Sequence, residues 1–345
     1  MERNSVIDKL DIFIITFNRA KRLEKTLQEL FSDTSAVRDF SITIFDNNSS
    51  DETCSIVRKY QEKYPNLNYQ KNDYNINGNG NITKAFYSAK KEYVWVLADN
   101  DHYSFDCWNQ VEQAIEKKAD AIVVSTFECP KLNLAQLFVQ MTFVPGVIYK
   151  TSNIDDTVLA NMTFNISNMF PHLVLASKMV NYKKEVVILD KPVVLIGNNN
   201  DENGKYVYTR GFSDDIHPLQ AAISWFGGYA NSLWMIKDRK IRNYLANNNK
   251  FSIPLTSPRL FFHKPKETKE NLNFYNIFCV FFVLSFFDRI KFLLNLLLYY
   301  SLYRIIFIYK EQNYSEKDGL ITTQFNLRLF YFIKTKLFKT KRMCQ

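Results

Sequence analysis

One short apolar stretch that ends in two aspartates constrains this chain more than any other feature. Tyr93-Val94-Trp95-Val96-Leu97 is long enough for one buried strand, and Asp99 and Asp101 follow it two positions apart. Side chains at i and i+2 of extended backbone point to the same side, so the two carboxylates leave the strand end together. Such a pair makes a poor core but a good site for a hard cation and a phosphate. The stretch predicts a ligand site at the carboxyl edge of a sheet.

Apolar runs rich in β-branched residues alternate with helical patterns along the first 125 residues. The runs lie at 11–16, 40–45, 93–97 and 121–125, and residues 67–70 form a weaker candidate strand. This alternation predicts βαβ units with right-handed crossovers, and therefore an α/β fold on a mostly parallel sheet flanked by helices. Three polar loops, after Ile15, Phe45 and Leu97, then meet at the carboxyl edge, where open α/β sheets bind ligands.

The pattern is weaker outside these strands. The segment 77–81, which alternates Asn and Gly, is interpreted as a loop that leads into a helix. Further helices are predicted near 105–117 and 157–161, and another opens within 168–176. The runs 186–189 and 193–196 are interpreted as a strand pair or as one strand broken at Pro192.

The net charge is formally +9 over 345 residues, but the excess positive charge is at the end of the chain. After Asp318 there is no acidic residue, and six basic residues follow: Arg328, Lys334, Lys336, Lys339, Lys341 and Arg342. Nucleic acid is disfavoured as a partner, because these basic residues lie in a hydrophobic C-terminal segment and not beside stacking aromatics on a sheet. Five widely spaced cysteines without a C-x-x-C motif, and no signal-peptide pattern, predict reduced thiols in a cytoplasmic protein.

The last part of the chain is rich in Phe, Leu and Tyr from Phe274 to Tyr309. Its longest apolar run, 277–287, is too short to span a bilayer alone. We expect an amphipathic helix or helical hairpin that lies in the membrane interface, with the basic tail against anionic lipid. This predicts a peripheral protein on the inner face of the plasma membrane. A self-packed helical appendage or a dimer contact is the alternative.

Four motifs occur in a recognisable order. They are Ile14-Ile15-Thr16-Phe17-Asn18-Arg19, then Asp46-Asn47-Asn48-Ser49-Ser50-Asp51-Glu52-Thr53, then Asn77-Gly78 with Asn81 and Ala85, and finally Tyr93 to Asp101. The chain resembles the inverting family 2 glycosyltransferases with a GT-A fold, and more narrowly the abequosyltransferase-type enzymes of O-antigen and capsule synthesis. The resemblance is strong over about the first 125 residues and looser to about residue 235.

The resemblance implies a nucleotide-sugar donor and a divalent metal ion, Mn²⁺ or Mg²⁺. It implies that Asp46 contacts the nucleoside, that Asp99 contacts the ribose and that Asp101, together with Asp99, holds the ion at the diphosphate. The donor site predicted from these matches comprises Thr16, Asn18, Arg19, Asp46, Asn48, Asn81, Lys84, Asp99 and Asn100. Ordinary interpretations stay open: Asp46 could be a helix-capping loop residue, and Lys84 could lie on a solvated helix face.

An inverting transfer also needs a base that deprotonates the acceptor hydroxyl. The related enzymes place an acid from a Glu-Asp pair at a helix start, but the corresponding segment here, 169–173, has no carboxylate. His172 is the first candidate because its usual pKa suits neutral pH, although a structural histidine is the alternative. Asp214 and Asp215 are the next candidates, and Asp155 or Asp156 are weaker ones.

The expected function is transfer of one sugar, with inversion, to a saccharide or a lipid-linked saccharide in bacterial surface polysaccharide synthesis. The predicted division is a donor half at 1–125, an acceptor half at 126–240, a linker at 241–271 and an amphipathic, basic tail at 272–345. A catalytically degenerate scaffold subunit is the non-enzymatic alternative. A nucleotide-sugar pyrophosphorylase is less favoured, because the loop at 16–19 lacks the glycines that such an enzyme needs.

Overall fold

The computed structural model describes residues 4–125, 132–167, 169–197, 228–229, 231–248, 286 and 289–298. Its strands are β1 Leu10–Thr16, β2 Ile42–Asp46, β3 Leu67–Lys71, β4 Tyr93–Ala98, β5 His102–Tyr103, β6 Ala121–Val123, β7 Val147–Lys150, β8 Val186–Ile188 and β9 Val194–Leu195. Its helices are α1 Asn4–Ile7, α2 Ala20–Leu30, α3 Thr53–Lys63, α4 Asn77–Ser88, α5 Trp108–Glu116, α6 Leu134–Gln140, α7 Asp156–Phe164, α8 Leu173–Tyr182 and α9 Arg239–Asn248.

The central sheet has seven strands in the order β3-β2-β1-β4-β7-β6-β8. The first four are parallel, β7 is antiparallel to both of its neighbours, and β6 and β8 are parallel to each other. The prediction of a mostly parallel sheet flanked by helices is confirmed. The antiparallel β7 was not predicted, because a short apolar run carries no information about strand direction.

Helices cover both faces of this sheet, which explains why its inner strands are continuous apolar runs. On one face α2, α3 and α5 pack against Trp95 and Leu97, and their own core residues include Leu23, Val57 and Val111. On the other face the core cluster includes Phe86, Phe138, Met162 and Leu175, which come from α4, α6, α7 and α8. The strands therefore hold the loops at their carboxyl ends on a rigid, doubly covered platform.

Two predictions about local structure were wrong. The Asn-Gly segment at 77–81 lies at the start of α4 and not in a loop, because the helix begins at Asn77. The runs at 186–189 and 193–196 do not pair with each other. The strand β8 joins the central sheet beside β6, and β9 pairs with β5 in a separate two-stranded sheet.

The small sheet of β5 and β9 begins immediately after Asp101. His102 is opposite Leu195 and Tyr103 is opposite Val194. Beyond the second strand, a side chain at Gly197 would collide with the backbone of Asn100, because a Cβ there would lie 1.6 Å from the Asn100 carbonyl oxygen. The chain can pass this close to the loop that carries Asp101 only because residue 197 is glycine.

The chain divides into two compact units, residues 1–252 and 253–345. In the second unit, residues 289–298 are helical, within the segment for which the sequence predicts an amphipathic helix. Leu294 and Leu297 on this helix are exposed. No helix in the described ranges is both long and apolar enough to cross a membrane. The other predicted domain boundaries stay predictions.

Candidate functional site

Asp99 is held in place by the loop that follows β1. Its Oδ2 accepts a hydrogen bond from the Thr16 hydroxyl at 2.8 Å, and its Oδ1 pairs with the Arg19 guanidinium at 2.8 Å. The contact exists because β1 and β4 are neighbouring parallel strands, which bring their carboxyl ends together. Three residues of the predicted donor site therefore meet, and the Asp99 carboxylate is almost fully buried.

Asp101 has one satisfied oxygen and one bare oxygen. Its Oδ1 accepts a hydrogen bond from the Gly197 amide at 3.0 Å, whereas its buried Oδ2 has no partner among the described residues. Burial raises the pKa of this carboxyl to about 6, the Gly197 hydrogen bond lowers it, and the neighbouring Asp99 charge raises it further. Burial of a charged carboxylate without a bound cation is energetically costly. A cation bound to Asp101 would therefore stabilise its charged form.

This arrangement fits a divalent ion. No group of three or more acidic, histidine or cysteine side chains that could hold a metal exists in the described ranges. Mg²⁺ and similar hard cations need only one or two protein carboxylates when substrate phosphates and water complete the coordination. The bare oxygen of Asp101 suits that role. Asp99 has already engaged both of its oxygens with Thr16 and Arg19.

Asp46 lies at the end of β2 and is fully buried. Its Oδ1 accepts from the Ser49 amide at 2.8 Å, and its Oδ2 accepts from the Tyr69 hydroxyl. Burial and this carboxylate raise the pKa of Tyr69 well above its usual value. Asp46 therefore holds the turn after β2 against β3. The predicted contact with the nucleoside stays a prediction. It requires the nucleobase to reach a carboxylate that is already hydrogen-bonded on both oxygens.

A network of side-chain amides lies beside Asp46 and was not predicted. Asn47 donates to Asn75 at 2.6 Å and accepts from Asn72 at 3.1 Å. Asn72 in turn accepts from Lys84 at 2.7 Å and donates to Asn81 at 3.3 Å. Asn72 thus connects Asn81 and Lys84, and the prediction that these two residues face the donor stays a prediction. In so Asn-rich a chain no single asparagine stood out, and only their position just after strands could have indicated them.

The loops after β1 and β2 are also tied to each other. The backbone amide of Asn18 donates to the Ser49 hydroxyl at 2.8 Å. The side-chain oxygen of Asn18 accepts from the backbone amide of Ser50, also at 2.8 Å. Asn18 and Asn48 have positive φ angles of 50° and 68°, a conformation that asparagine tolerates better than most residues. Asp51 completes the connection by accepting from the Ala20 amide at 2.9 Å. Asn100 lies between the two aspartates and its carbonyl faces Gly197.

His172 lies just before α8 and is 1% exposed. Its Nε2 is 3.1 Å from the carbonyl oxygens of Met141 and Thr142, so Nε2 carries the proton and donates to them. Its Nδ1 is buried and has no partner within the described ranges. Burial lowers the pKa of the imidazole to about 4, against a weaker opposite effect of the two carbonyls. In this conformation His172 is a weak base that solvent does not reach.

The other candidates for the base are placed as follows. Asp214 and Asp215 lie outside the described residues. Asp155 caps α7 by accepting from the Val158 amide at 2.9 Å and pairs with Lys178 at 2.6 Å, which lowers the pKa of its carboxyl. Asp155 is therefore engaged structurally, and the identity of the base stays a prediction.

The fold and the polar edge define the class of this domain. A parallel four-stranded core, a turn to antiparallel at β7, and two aspartates after β4 are features of the GT-A-type nucleotide-sugar-binding fold. Residues 11–173 match the family model "Glycosyl transferase family 2". Over residues 11–173 the chain is therefore similar to the family 2 glycosyltransferases, and its fold is GT-A-like.

Individual relatives agree with this assignment. The chain is 34% identical over 94 residues to the GalNAc(5)-diNAcBac-PP-undecaprenol beta-1,3-glucosyltransferase of Campylobacter jejuni, which covers 27% of this chain and 30% of that protein. It is 29% identical over 128 residues to an uncharacterised glycosyltransferase of Mycoplasma genitalium, covering 36% of this chain and 43% of that protein. The alignments thus span less than half the length of these curated relatives.

A solved structure extends the similarity of fold over most of the chain. Staphylococcus aureus TarS in complex with UDP-GlcNAc superposes with a TM-score of 0.57 over 83% of this chain and 89% of that one, at 17% identity. At this identity the likeness concerns the fold.

Proposed function

We propose that this protein is a glycosyltransferase that moves one sugar from a nucleotide-sugar donor to a saccharide or lipid-linked saccharide during bacterial glycan synthesis. The observation that carries the proposal is the pair of aspartates after β4. Asp99 is neutralised by Arg19, while Asp101 keeps one buried oxygen bare. Phosphate chemistry with a bound cation accounts for that arrangement, whereas a purely structural loop leaves the bare carboxylate unexplained.

The residues have distinct roles in this proposal. Asp101 would hold a Mn²⁺ or Mg²⁺ ion, and that ion would neutralise the charge on the departing nucleoside diphosphate. Arg19 and Thr16 orient Asp99 toward the ribose, and the edge of the amide network, with Lys84, borders the nucleotide. The acceptor hydroxyl attacks the anomeric carbon from the opposite side as the bond to the diphosphate breaks, which inverts the configuration. A base takes the hydroxyl proton, for which His172, Asp214 and Asp215 are the candidates.

Several finer features belong to the same proposal. The acceptor belongs to surface polysaccharide of the O-antigen or capsule type, and the donor is a UDP-sugar, since TarS, which shares the fold, binds UDP-GlcNAc. The region 272–345 holds the protein peripherally on the inner face of the plasma membrane through its basic, aromatic-rich sequence. Deletion of residues 272–345 is expected to move the protein from the membrane fraction to the supernatant. Retention on the membrane would refute this part.

The central test is a panel of nucleotide sugars and nucleoside diphosphates in a thermal-shift assay, with Mn²⁺, Mg²⁺ or EDTA. We expect at least one nucleoside diphosphate to raise the melting temperature only when metal is present. The donor so identified is then incubated with saccharide acceptors, and the anomeric configuration of the product is read by NMR. The absence of metal-dependent stabilisation by any nucleotide would count against the proposal, and a product of retained configuration would refute inversion.

A further inference from the structure

Glu29 contacts both residues that follow Asp101. Its Oε1 is 2.7 Å from Nδ1 of His102, and its Oε2 accepts the backbone amide of Tyr103 at 2.9 Å. Glu29 belongs to α2 and is separated by more than 70 positions in sequence from both partners. One carboxylate thus joins the helix after β1 to the strand that leaves the metal-binding loop.

The position of Glu29 in its helix is unfavourable by local rules. It lies in the last turn of α2, where the backbone carbonyls point outward and the helix dipole disfavours negative charge. That turn has no basic residue to offset it. A carboxylate at this point needs a partner outside the helix, and the partners that the structure supplies are His102 and Tyr103. The residue is better explained by this contact than by helix formation.

The contact matters because the small sheet after Asp101 is very short. Each of its strands, β5 and β9, has two residues, and an isolated ribbon of this size is not stable in water. Tyr103 anchors it from one side, with its hydroxyl donating to the Ala98 carbonyl at 3.2 Å. Glu29 anchors it from the other side to α2, whose residues Leu23 and Leu27 are fully buried.

We propose that Glu29 is a positioning residue for the metal-binding carboxylate of Asp101. It does not touch the donor or the ion. It fixes the two residues after Asp101 to a rigid helix, and thereby the direction in which the bare oxygen of Asp101 points. The inference rests on the proposed function, since it assumes that Asp101 binds a cation together with a nucleoside diphosphate. Residues behind metal ligands commonly affect metal affinity in this way.

The test uses the full chain and measures binding rather than turnover. Mn²⁺ binding in the presence of UDP is followed by the loss of the free-ion signal in electron paramagnetic resonance. UDP binding in EDTA is followed separately by calorimetry. Glu29→Ala is expected to weaken Mn²⁺ binding by about tenfold, the lower end of the effects seen for such residues. UDP binding in EDTA should stay within about twofold, because the nucleoside pocket is on other loops.

Glu29→Gln is the second variant, and it tests whether hydrogen bonding or charge is responsible. Its amide oxygen can accept from the Tyr103 amide, and its amide nitrogen can donate to an unprotonated Nδ1 of His102, so Mn²⁺ affinity should stay near the wild-type value. Glu24→Ala is the matched control. It removes the same charge from the same helix at a residue whose charge acts on Tyr60 of α3 and raises the pKa of that tyrosine, and it should bind Mn²⁺ as the wild type does.

The outcomes separate this inference from the proposed function. If the wild-type protein binds no Mn²⁺ with any nucleoside diphosphate, the proposed function fails and this inference fails with it. If the wild type binds and Glu29→Ala binds equally well, this inference alone is overturned. It is also overturned if Glu29→Gln is as weak as Glu29→Ala, because charge and not hydrogen bonding would then be responsible. Equal losses of Mn²⁺ and metal-free UDP binding would show general unfolding and would likewise overturn it.

Discussion

The first 125 residues and residues 132–197 use their polar side chains in different ways. In the first region, polar residues at the strand ends bond to one another across the chain, as Thr16 does to Asp99 over 83 positions. In the second region, the Asp155 carboxylate accepts locally from the Val158 amide and pairs with Lys178 of the same region, and His172 donates to backbone carbonyls. The first region joins several loops at one polar edge, for which we propose a binding role, whereas Asp155 and His172 of the second region hold its own helices in place.

This difference leads to a testable asymmetry. Substitution of the metal-binding carboxylate proposed in the first region should change function more than stability, and substitution of His172 in the second region should change stability first. The first region contains a destabilising feature, the buried Asp101 oxygen without a partner among the described residues, and a binding role would explain why it is there.

The largest effect is expected for Asp101→Asn. We expect turnover to fall on the order of 10² to 10³-fold, as when a key electrostatic group is removed from an active site. In EDTA the melting temperature should stay equal or rise, because a neutral amide replaces a buried carboxylate whose pKa is raised to about 6. Activity with the identified donor and thermal unfolding are measured on the same preparations.

Asp106→Asn is the control for this substitution, since Asp106 is exposed and lies five positions further along. It should leave both activity and melting temperature unchanged. If Asp101→Asn retains full activity, the first region is not a metal-dependent site, and a scaffold role becomes the better explanation.

Much of the first region could be predicted from the sequence, for a physical reason. Parallel strands buried on both faces are continuous apolar runs, and the residues after them must meet at one edge, so the strands at 11–16 and 93–97 already implied that Thr16 and Asp99 are near each other. What the sequence could not show was which oxygen of Asp101 stays bare, because that depends on Gly197, 96 positions away.

The second region could be predicted less well. A run such as Val147–Lys150 indicates a strand but not its antiparallel direction. His172 was chosen because an exposed histidine titrates near neutral pH, but the packing of α8 buries it and removes that property. Burial is a tertiary property, and the residues around position 172 gave no local sign of it.

The second prediction concerns His172→Gln and the pH dependence of stability. An unfolded histidine binds a proton near its usual pKa of 6.5, whereas folded His172 binds one only near pH 4. Unfolding therefore takes up a proton between these values, and His172 makes the protein less stable as pH falls from about 7 to 4. The effect is up to about 3 kcal/mol from the shift in pKa.

Glutamine cannot take up that proton but can donate to the carbonyls of Met141 and Thr142. The difference in unfolding free energy between variant and wild type should therefore grow in favour of the variant as pH falls. Urea unfolding at a series of pH values measures it, and taking the difference cancels the other titrating groups. A constant difference from pH 7 to 4 would mean that His172 is accessible to protons, which would restore it as the first candidate for the base.

The smallest effect is expected for Arg19→Ala, which tests how firmly the first region is assembled. Removal of the guanidinium leaves the buried carboxylate of Asp99 with the Thr16 hydroxyl as its one side-chain partner within the described part of the chain. Loss of one partner from a buried ion pair is costly, and because the Arg19 side chain is 24% exposed we expect about 2 kcal/mol of destabilisation rather than more.

Arg38→Ala is the matched control, because Arg38 pairs with Asp33 at the surface, where the acid is 94% exposed. That change should cost less than about 0.5 kcal/mol, as surface ion pairs do. A further Asp99→Asn substitution in the Arg19→Ala protein should recover part of the lost stability, since it removes the uncompensated charge. If Arg19→Ala costs no more than Arg38→Ala, the loops at the strand ends are not held together by this pair. The contrast between the two regions would then rest on the backbone and amide contacts alone.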